Sequence, residues 1–220
     1  MRPIQIAPSL LAANFASLEN DVKRMMKHQV EYLHYDIMDG HFVPNPSFGV
    51  PVVASISKLF KVTHDVHLMI EKPRDFFDAF IQAGATIITF HYEVGNDVKT
   101  MLSWIDYLHQ HKVKAGISIK PKTKVEVLKP LIGHVDVCLV MSVEPGFGGQ
   151  TFLSSAIDKV SWLRKQIDVQ KSRTLIEVDG GINAETGKQC RIAGADILVA
   201  GSYLFNHPQL KDAFQSLRDE

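Results

Sequence analysis

Eight short segments rich in β-branched and aliphatic residues recur along the chain, and an amphipathic segment follows each of them. The strand candidates are residues 4–9, 32–38, 62–69, 86–91, 114–119, 135–141, 174–179 and 196–201. The helix candidates are residues 18–28, 50–59, 73–83, 97–111, 124–131, 155–170, 184–193 and 209–217. Alternating strands and helices are typical of βαβ units and a parallel sheet. Eight repeats predict an α/β fold, a single-domain (β/α)8 TIM barrel over residues 1–220.

An open, doubly wound sheet is the main alternative to the barrel. Such sheets usually have fewer strands, and dinucleotide-binding ones carry a GxGxxG turn after the first strand. The first strand here continues into PSLLAAN, which has no glycine. No low-complexity stretch or Pro/Ser-rich linker interrupts the alternation. The pattern therefore favours the barrel.

The balance of charges narrows the possible partners. The 220 residues carry 24 Lys and Arg against 24 Asp and Glu, so the formal net charge is zero. This balance argues against nucleic acid or an anionic membrane as the main partner. No apolar run approaches the ~18 residues of a membrane span, and the first residues do not resemble a secretory signal. Cys138 and Cys190 form no metal or disulfide motif, so we expect a cytoplasmic protein.

Polar side chains recur at the carboxyl ends of the predicted strands, where barrel enzymes place their active sites. Side chains alternate between the two faces of a strand, so His34 and Asp36 share one face. His67 and Asp179 end two other strands. If the intervening aliphatic residues face the helices, these four side chains converge inside one mouth of the barrel. Three methionines end strands in register with them and would form an apolar wall: Met38, Met69 and Met141.

Isolated polar groups in a core cost about several kcal/mol each, so the four side chains need a partner. Two imidazoles and two carboxylates suit one divalent cation, with Zn²⁺, Fe²⁺, Mn²⁺ and Co²⁺ as candidates. A hydrogen-bonded His/Asp network without metal is the alternative. The sequence does not decide which cation would be native, because the preferences of these ions for such ligands overlap.

Two aspartates on separate strands also suggest acid–base chemistry. Asp36 and Asp179 could flank a substrate, one removing a proton from carbon and the other returning one to the opposite face. Such an exchange inverts a C–H centre next to a ketone, and a cation would stabilise the enediolate as a Lewis acid. Asp39 is better explained as a turn or capping residue than as a third catalytic carboxylate.

Glycine-rich loops follow the last three predicted strands and indicate a phosphate site, because glycine allows close backbone approach to an anion. Such loops form the usual phosphate site of this barrel. The candidate residues are Gly146, Phe147, Gly148, Gly149, Gly180, Gly181, Gly201 and Ser202. Phe147, at the tip of the long loop 142–152, suggests a lid over substrate. His91 and Glu93 could support the site from behind.

Several motifs together resemble one family. PSLLAANFASL, HYDIMDGHFVPN, HDVHLMIEKP, VMSVEPGFGGQTF, EVDGGIN and ADILVAGSYLF occur in the order found in ribulose-phosphate 3-epimerases. The resemblance covers essentially the whole chain. It implies interconversion of D-ribulose 5-phosphate and D-xylulose 5-phosphate in the pentose phosphate pathway, by an enzyme that is usually oligomeric. One divalent cation per subunit is implied.

The resemblance also implies roles for individual residues. Asp36 corresponds to the proton acceptor and Asp179 to the donor, and His34, Asp36, His67 and Asp179 to the metal ligands. Ser9 and His67 would contact the sugar. The glycines of the three loops, with Ser202, would contact the phosphate end.

Three other functions stay open on the sequence alone. Hexulose-phosphate 3-epimerases, such as those acting on allulose 6-phosphate, share the metal motifs. A Schiff-base aldolase could use Lys120, although the neighbouring Pro121, Lys122 and Lys124 make a solvated loop lysine the simpler reading. The last alternative is a sugar-phosphate-binding barrel without catalysis.

Overall fold

A computed structural model describes residues 3–95 and 97–218 of the chain. Its strands all run parallel in one sheet, in the order β1-β8-β7-β6-β5-β4-β3-β2. They are β1 Gln5–Pro8, β2 Tyr32–Met38, β3 Thr63–Met69, β4 Ile87–His91, β5 Lys114–Ile119, β6 Val137–Met141, β7 Leu175–Asp179 and β8 Ile197–Ala200. A parallel bridge between Ser9 and His34 joins β1 to β2 and closes the ring. The predicted (β/α)8 barrel is confirmed.

The helices lie close to their predicted positions. They are α1 Leu18–Met26, α2 Val50–Leu59, α3 Phe77–Gln82, α4 Tyr92–Gly95, α5 Val98–Gln110, α6 Ser155–Val169, α7 Ala184–Ala193, α8 Ser202–Phe205 and α9 Leu210–Arg218. Two predictions need correction. Segment 73–83 begins as a 3₁₀ helix, Pro73–Phe76, and segment 124–131 forms only the 3₁₀ helix Val125–Leu128. Pro130 has no N–H to donate, so the second segment does not continue as an α-helix.

Each strand is buried on both faces, as expected for a parallel sheet covered by helices. In β2, Leu33, Tyr35 and Ile37 pack in the large core between sheet and helices. The alternate residues of β2 face the barrel interior. There Tyr32 belongs to an apolar plug with Ala7, Ile87, Val137, Ile197 and Val199. Beyond this plug, towards the carboxyl ends, the interior becomes polar.

The register between β2 and β3 sets the spacing of the polar residues. His34 lies opposite Asp65, Asp36 opposite His67, and Met38 opposite Met69. On the other side of the barrel, Met141 of β6 lies opposite Asp179 of β7. Both faces of β2 are buried, so a one-residue slip would move the His and Asp side chains into the apolar layer under the helices.

Within residues 3–95 and 97–218, no helix combines the length and the apolarity that a bilayer crossing requires.

We predict that Gly116→Ala will destabilise the barrel. Gly116 pairs with Thr89 across β5 and β4, and a Cβ at Gly116 would lie 2.1 Å from Thr89 Oγ1. Such overpacking typically costs about 1–3 kcal/mol, measurable as a lower urea midpoint. Gly148→Ala is the control, because its Cβ would find its nearest neighbour at 4.0 Å. Combining Gly116→Ala with Thr89→Ala should recover part of the loss. Equal midpoints for Gly116→Ala and Gly148→Ala would contradict the packing described for these strands.

Candidate active site

The structure brings the four predicted ligand side chains together at the carboxyl end of the barrel. One ligand atom from each of His34, Asp36, His67 and Asp179 lies within 4.8 Å of the others. Asp36 Oδ1 is 3.3 Å from both His34 Nε2 and His67 Nδ1. Asp179 Oδ2 is 4.0 Å from His34 Nε2 and 3.9 Å from His67 Nδ1. Both histidines are fully buried, whereas the Asp179 side chain is 14% exposed at the mouth.

The donor set fits a divalent cation. His34 Nε2 is buried, faces the two aspartates and has no hydrogen-bond partner within residues 3–95 and 97–218. A buried polar atom is normally satisfied, so an unpartnered nitrogen aimed at two carboxylates points to a ligand there. Two imidazole nitrogens and two carboxylate oxygens are the ligands that Zn²⁺ and related cations take. The cluster could therefore hold one such ion.

His34 is held from behind by a carboxylate. Its Nδ1–H donates to Asp65 Oδ2 at 2.5 Å, which leaves Nε2 for the cluster. Glu177 Oε1 lies 3.4 Å from the same Nδ1. Burial, followed by the charge of Asp65, raises the pKa of Glu177 well above its usual value. Sequence reasoning did not assign roles to Asp65 and Glu177. The signal was available, because each stands two residues before a predicted ligand on the inward face.

The two candidate catalytic aspartates have opposite pKa shifts. Burial opposes ionisation of Asp36, but the neighbouring His34 and His67 outweigh it and lower the pKa of Asp36. Burial, and then the charge of Asp36, raises the pKa of Asp179 to about 8. Taken as protein groups alone, Asp36 is ionised near neutral pH and Asp179 is largely protonated. One group is thus ready to accept a proton and the other to donate one.

His34 carries the charge that balances Asp36. Burial lowers its pKa, but the charges of Asp36 and Asp65 outweigh burial and raise the pKa well above the ordinary value. The pKa of His67 is lowered, chiefly by burial, so this ring is neutral.

Ser9 lies against Asp36. Its hydroxyl donates to Asp36 Oδ2 at 2.6 Å, and its backbone N–H donates to Ala200 O at 3.1 Å. The two Asp36 oxygens therefore have different surroundings, with Oδ1 facing the histidines and Oδ2 facing Ser9. The sequence predicted that Ser9 contacts substrate, and the structure places it in the wall of the cleft.

A cleft opens above the cluster. Except for the buried His34 and His67, every predicted site residue lines it: Ser9, Asp36, Met38, Met69, Met141, Gly146, Phe147, Gly148, Gly149, Asp179, Gly180, Gly181, Gly201 and Ser202. The three methionines are at most 6% exposed; Met38 and Met69 pack in one apolar cluster and Met141 in another. The cleft also includes residues that sequence reasoning missed, among them Leu11, Ala12 and Val143. These three side chains carry no charge or hydrogen-bonding group and belong to no motif that the sequence analysis used.

Gly180 and Gly181, in the loop after β7, are constrained by their neighbours. Gly180 has φ +117° and Gly181 φ +61°, which side chains rarely adopt. A Cβ at Gly180 would lie 2.5 Å from Val143 Cγ2, and one at Gly181 would lie 2.7 Å from Phe152 N. The loop at 144–150 is braced by Gln150, whose Nε2 donates to Glu144 O at 2.7 Å and to Phe147 O at 2.8 Å. Phe147 at its tip is 56% exposed.

Lys120 and Asp39 have roles outside the cleft. The Lys120 ammonium lies 3.7 Å from the centre of the Phe42 ring and does not line the cavity. Asp39 accepts hydrogen bonds from the backbone N–H groups of His41, Phe42 and Glu71. It therefore fixes the turn after β2, as the sequence suggested.

The sequence of this chain is similar to those of known proteins. The sequence matches the family described as "Ribulose-phosphate 3 epimerase family" over residues 5–205. The chain belongs to the ribulose-phosphate 3-epimerase family. Relatives named ribulose-phosphate 3-epimerase include one from Chlamydia muridarum, 42% identical over 92% of this chain and 88% of the relative. One from Bacillus subtilis (strain 168) is 39% identical over 98% of both chains.

Solved structures confirm the barrel but not the chemistry. A 3-hexulose-6-phosphate synthase matches with a TM-score of 0.64 and 18% identity over 98% of both chains. An orotidine 5'-phosphate decarboxylase from Pyrococcus horikoshii matches with a TM-score of 0.67 and 14% identity, over 98% of this chain and 97% of that one. At these identities the likeness shows the fold alone. Membership in an isomerase family acting on carbohydrates rests on the sequence match.

We predict that cation binding to the metal-free protein will release protons near pH 7. The elevated pKa of His34 means that this ring must lose a proton before its Nε2 can ligate, whereas Asp179 can ligate through one oxygen and keep its proton on the other. Calorimetry with Co²⁺ in two weakly coordinating buffers of different ionisation enthalpy measures the release. Apparent affinity should rise with pH, because His34 binds the cation only after it has lost a proton. Equal binding enthalpies in the two buffers would contradict these protonation states.

Proposed function

We propose that this protein is a metal-dependent epimerase that interconverts D-ribulose 5-phosphate and D-xylulose 5-phosphate by inverting C3. The observation that carries the proposal is the pair Asp36 and Asp179. They stand on β2 and β7, at one cleft, with pKa values displaced in opposite directions. Between these strands in the barrel lie β1 and β8, so the carboxyls can approach one substrate carbon from different sides.

Proton transfer begins at Asp36. Its carboxylate takes the C3 proton of ribulose 5-phosphate, and the C–H electron pair becomes the C2–C3 double bond while the carbonyl electrons move to O2. Asp179 then gives its carboxyl proton to the opposite face of C3, and the carbonyl is restored. Asp36 ends protonated and Asp179 ionised, which is the state required for the reverse reaction. Ser9, bonded to Asp36 Oδ2 at 2.6 Å, orients the base.

A cation supports this exchange. His34, Asp36, His67 and Asp179 would hold it, and it would supply positive charge that stabilises the developing enediolate oxygens. We propose one Zn²⁺, Fe²⁺, Mn²⁺ or Co²⁺ per subunit, since all four suit this ligand set.

The walls of the cleft are proposed to exclude water, bind the phosphate and cover the sugar. Met38, Met69 and Met141 exclude water, which protects an enediolate from stray protonation. The backbone N–H groups at Gly146–Gly149, Gly180, Gly181 and Gly201, with the Ser202 hydroxyl, are proposed to bind the phosphate. Phe147 is proposed as a lid over the bound sugar.

We also propose a domain organisation, an oligomeric state, a location and a pathway for the protein. We expect residues 1–220 to work as one (β/α)8 domain, in a homo-oligomer, on a small sugar phosphate in the cytoplasm. The corresponding pathway would be the pentose phosphate pathway. Membership in the family supports these expectations.

We predict that ribulose 5-phosphate incubated with the protein and cation in D₂O will gain deuterium at C3. Asp36→Asn should reduce exchange by about 10²–10⁴-fold, the usual contribution of a positioned acid–base group. Mass spectrometry and NMR of the recovered sugar measure it, and circular dichroism verifies folding. Asp158→Asn, on the surface of α6, is the matched control and should exchange normally.

Four results would contradict the proposed function. Full exchange by Asp36→Asn would refute the assigned base. No exchange by the wild type, with cation present, would leave a binding barrel without catalysis. Faster turnover of allulose 6-phosphate than of ribulose 5-phosphate would assign the enzyme to hexulose phosphates. Borohydride trapping of a Lys120 adduct would indicate an aldolase instead.

A further inference from the structure

His67 has different neighbours at its two ring nitrogens. Its Nδ1 faces Asp36 Oδ1 at 3.3 Å and Asp179 Oδ2 at 3.9 Å, inside the ligand cluster. Its Nε2 lies 2.9 Å from Nε2 of His91, which is also fully buried. A neutral imidazole has one N–H donor and one lone-pair acceptor. His67 can ligate a cation through Nδ1 only if its proton is on Nε2, so the tautomer of this ring decides whether the site is complete.

The hydrogen bonds that decide the tautomer begin at Glu93. Its Oε1 accepts the backbone N–H of Lys120 at 2.8 Å and the hydroxyl of Thr123. Its Oε2 lies 3.2 Å from His91 Nδ1. An ionised carboxylate can only accept, so His91 must carry its proton on Nδ1. The His91 Nε2 lone pair then faces His67, and the 2.9 Å contact requires His67 to donate from Nε2. The competing contact of His67 Nδ1 with Asp36 Oδ1, which would favour a proton on Nδ1, is longer at 3.3 Å.

Aromatic packing keeps the two rings aligned. The His67 and His91 ring centres are 5.0 Å apart with planes at 27°, and Phe42 packs 4.7 Å from the His91 ring centre. The Lys120 ammonium lies over Phe42. Packing thus orients the rings between Glu93 and His67, and we assign their proton positions from the hydrogen-bond partners.

We propose that Glu93 is a positioning residue that selects, through His91, the His67 tautomer needed for cation binding. The inference rests on the cation site of the proposed function. It differs from the arrangement at His34, where Asp65 performs the same task directly. At His67, by contrast, the Glu93 carboxylate does not contact the ligand ring and acts on it through the His91 ring. Support behind a ligand histidine typically changes metal affinity by about 10–100-fold.

Glu93→Gln tests the direction of the chain. Because Lys120 N and Thr123 Oγ1 both donate to one oxygen, the Gln carbonyl should occupy that place and turn its NH₂ towards His91. His91 would then accept at Nδ1 and donate from Nε2, which pushes the His67 proton onto Nδ1. The substitution keeps the size of the side chain and reverses the hydrogen bonds. Glu93→Asp keeps the acceptor and should restore the native direction in part.

The primary measurement is ¹⁵N NMR of histidine in the metal-free protein, which reads tautomers without cation or substrate. The wild type should show His67 protonated at Nε2 and His91 at Nδ1, and Glu93→Gln should show both reversed. Co²⁺ affinity, measured by competition with a chelator, should fall about 10–100-fold in Glu93→Gln. Glu126→Gln, an exposed neighbour, is the matched control and should bind as the wild type does.

Each outcome decides the inference. A wild-type His67 that is protonated at Nδ1 or charged would overturn it, and this reading does not depend on any variant folding. Unchanged tautomers and Co²⁺ affinity in a folded Glu93→Gln would also overturn it. Because the NMR reading needs no turnover, a failed epimerase assay on the wild type would refute the proposed function and leave this inference standing.

Discussion

Charged and polar groups lose their hydration when they enter a protein interior, and His34, Asp36 and His67 are at most 4% exposed. The arrangement of the barrel mouth follows from this cost. Each of the three side chains has a polar partner: Asp65 for His34, Ser9 for Asp36, and His91 for His67. Among the described residues, the buried atoms without a hydrogen-bond partner include His34 Nε2, at the centre of the cluster, and Asp65 Oδ1 and both Glu177 carboxyl oxygens behind it. The unpartnered His34 Nε2 faces the two aspartates, and this inner side of the cluster is where a cation would bind.

The same low-polarity environment separates the two aspartates. Both are buried beside each other's charge, yet the histidines stand close enough to Asp36 to keep it ionised. Asp179 is farther from both rings and remains protonated up to about pH 8. A difference of less than 1 Å in distance to the same histidines therefore accompanies the division into acceptor and donor. The methionine wall preserves this contrast by limiting water.

Much of the architecture could be predicted from the sequence, because strand periodicity and position are local properties. The inward direction of His34, Asp36 and His67 follows from a period of two, and their meeting follows from the topology of the barrel. The 3₁₀ geometry at Val125–Leu128 was missed, because helical periodicity was given more weight than Pro130. The pKa shifts of Asp36 and Asp179 were not predictable, since they depend on distances across strands. For the same reason, His91 and Glu93 could be suspected as support, but the direction of their hydrogen bonds could not be known.

We expect side chains from β2, β3 and β7 to form one cation site. Anomalous X-ray scattering from crystals of the protein loaded with Co²⁺ or Zn²⁺ tests it most directly. We expect one strong peak per subunit bounded by His34 Nε2, His67 Nδ1, Asp36 and Asp179, at about 2.0–2.2 Å from the ligand atoms. A peak elsewhere, or none in an enzyme that remains fully active, would contradict the account.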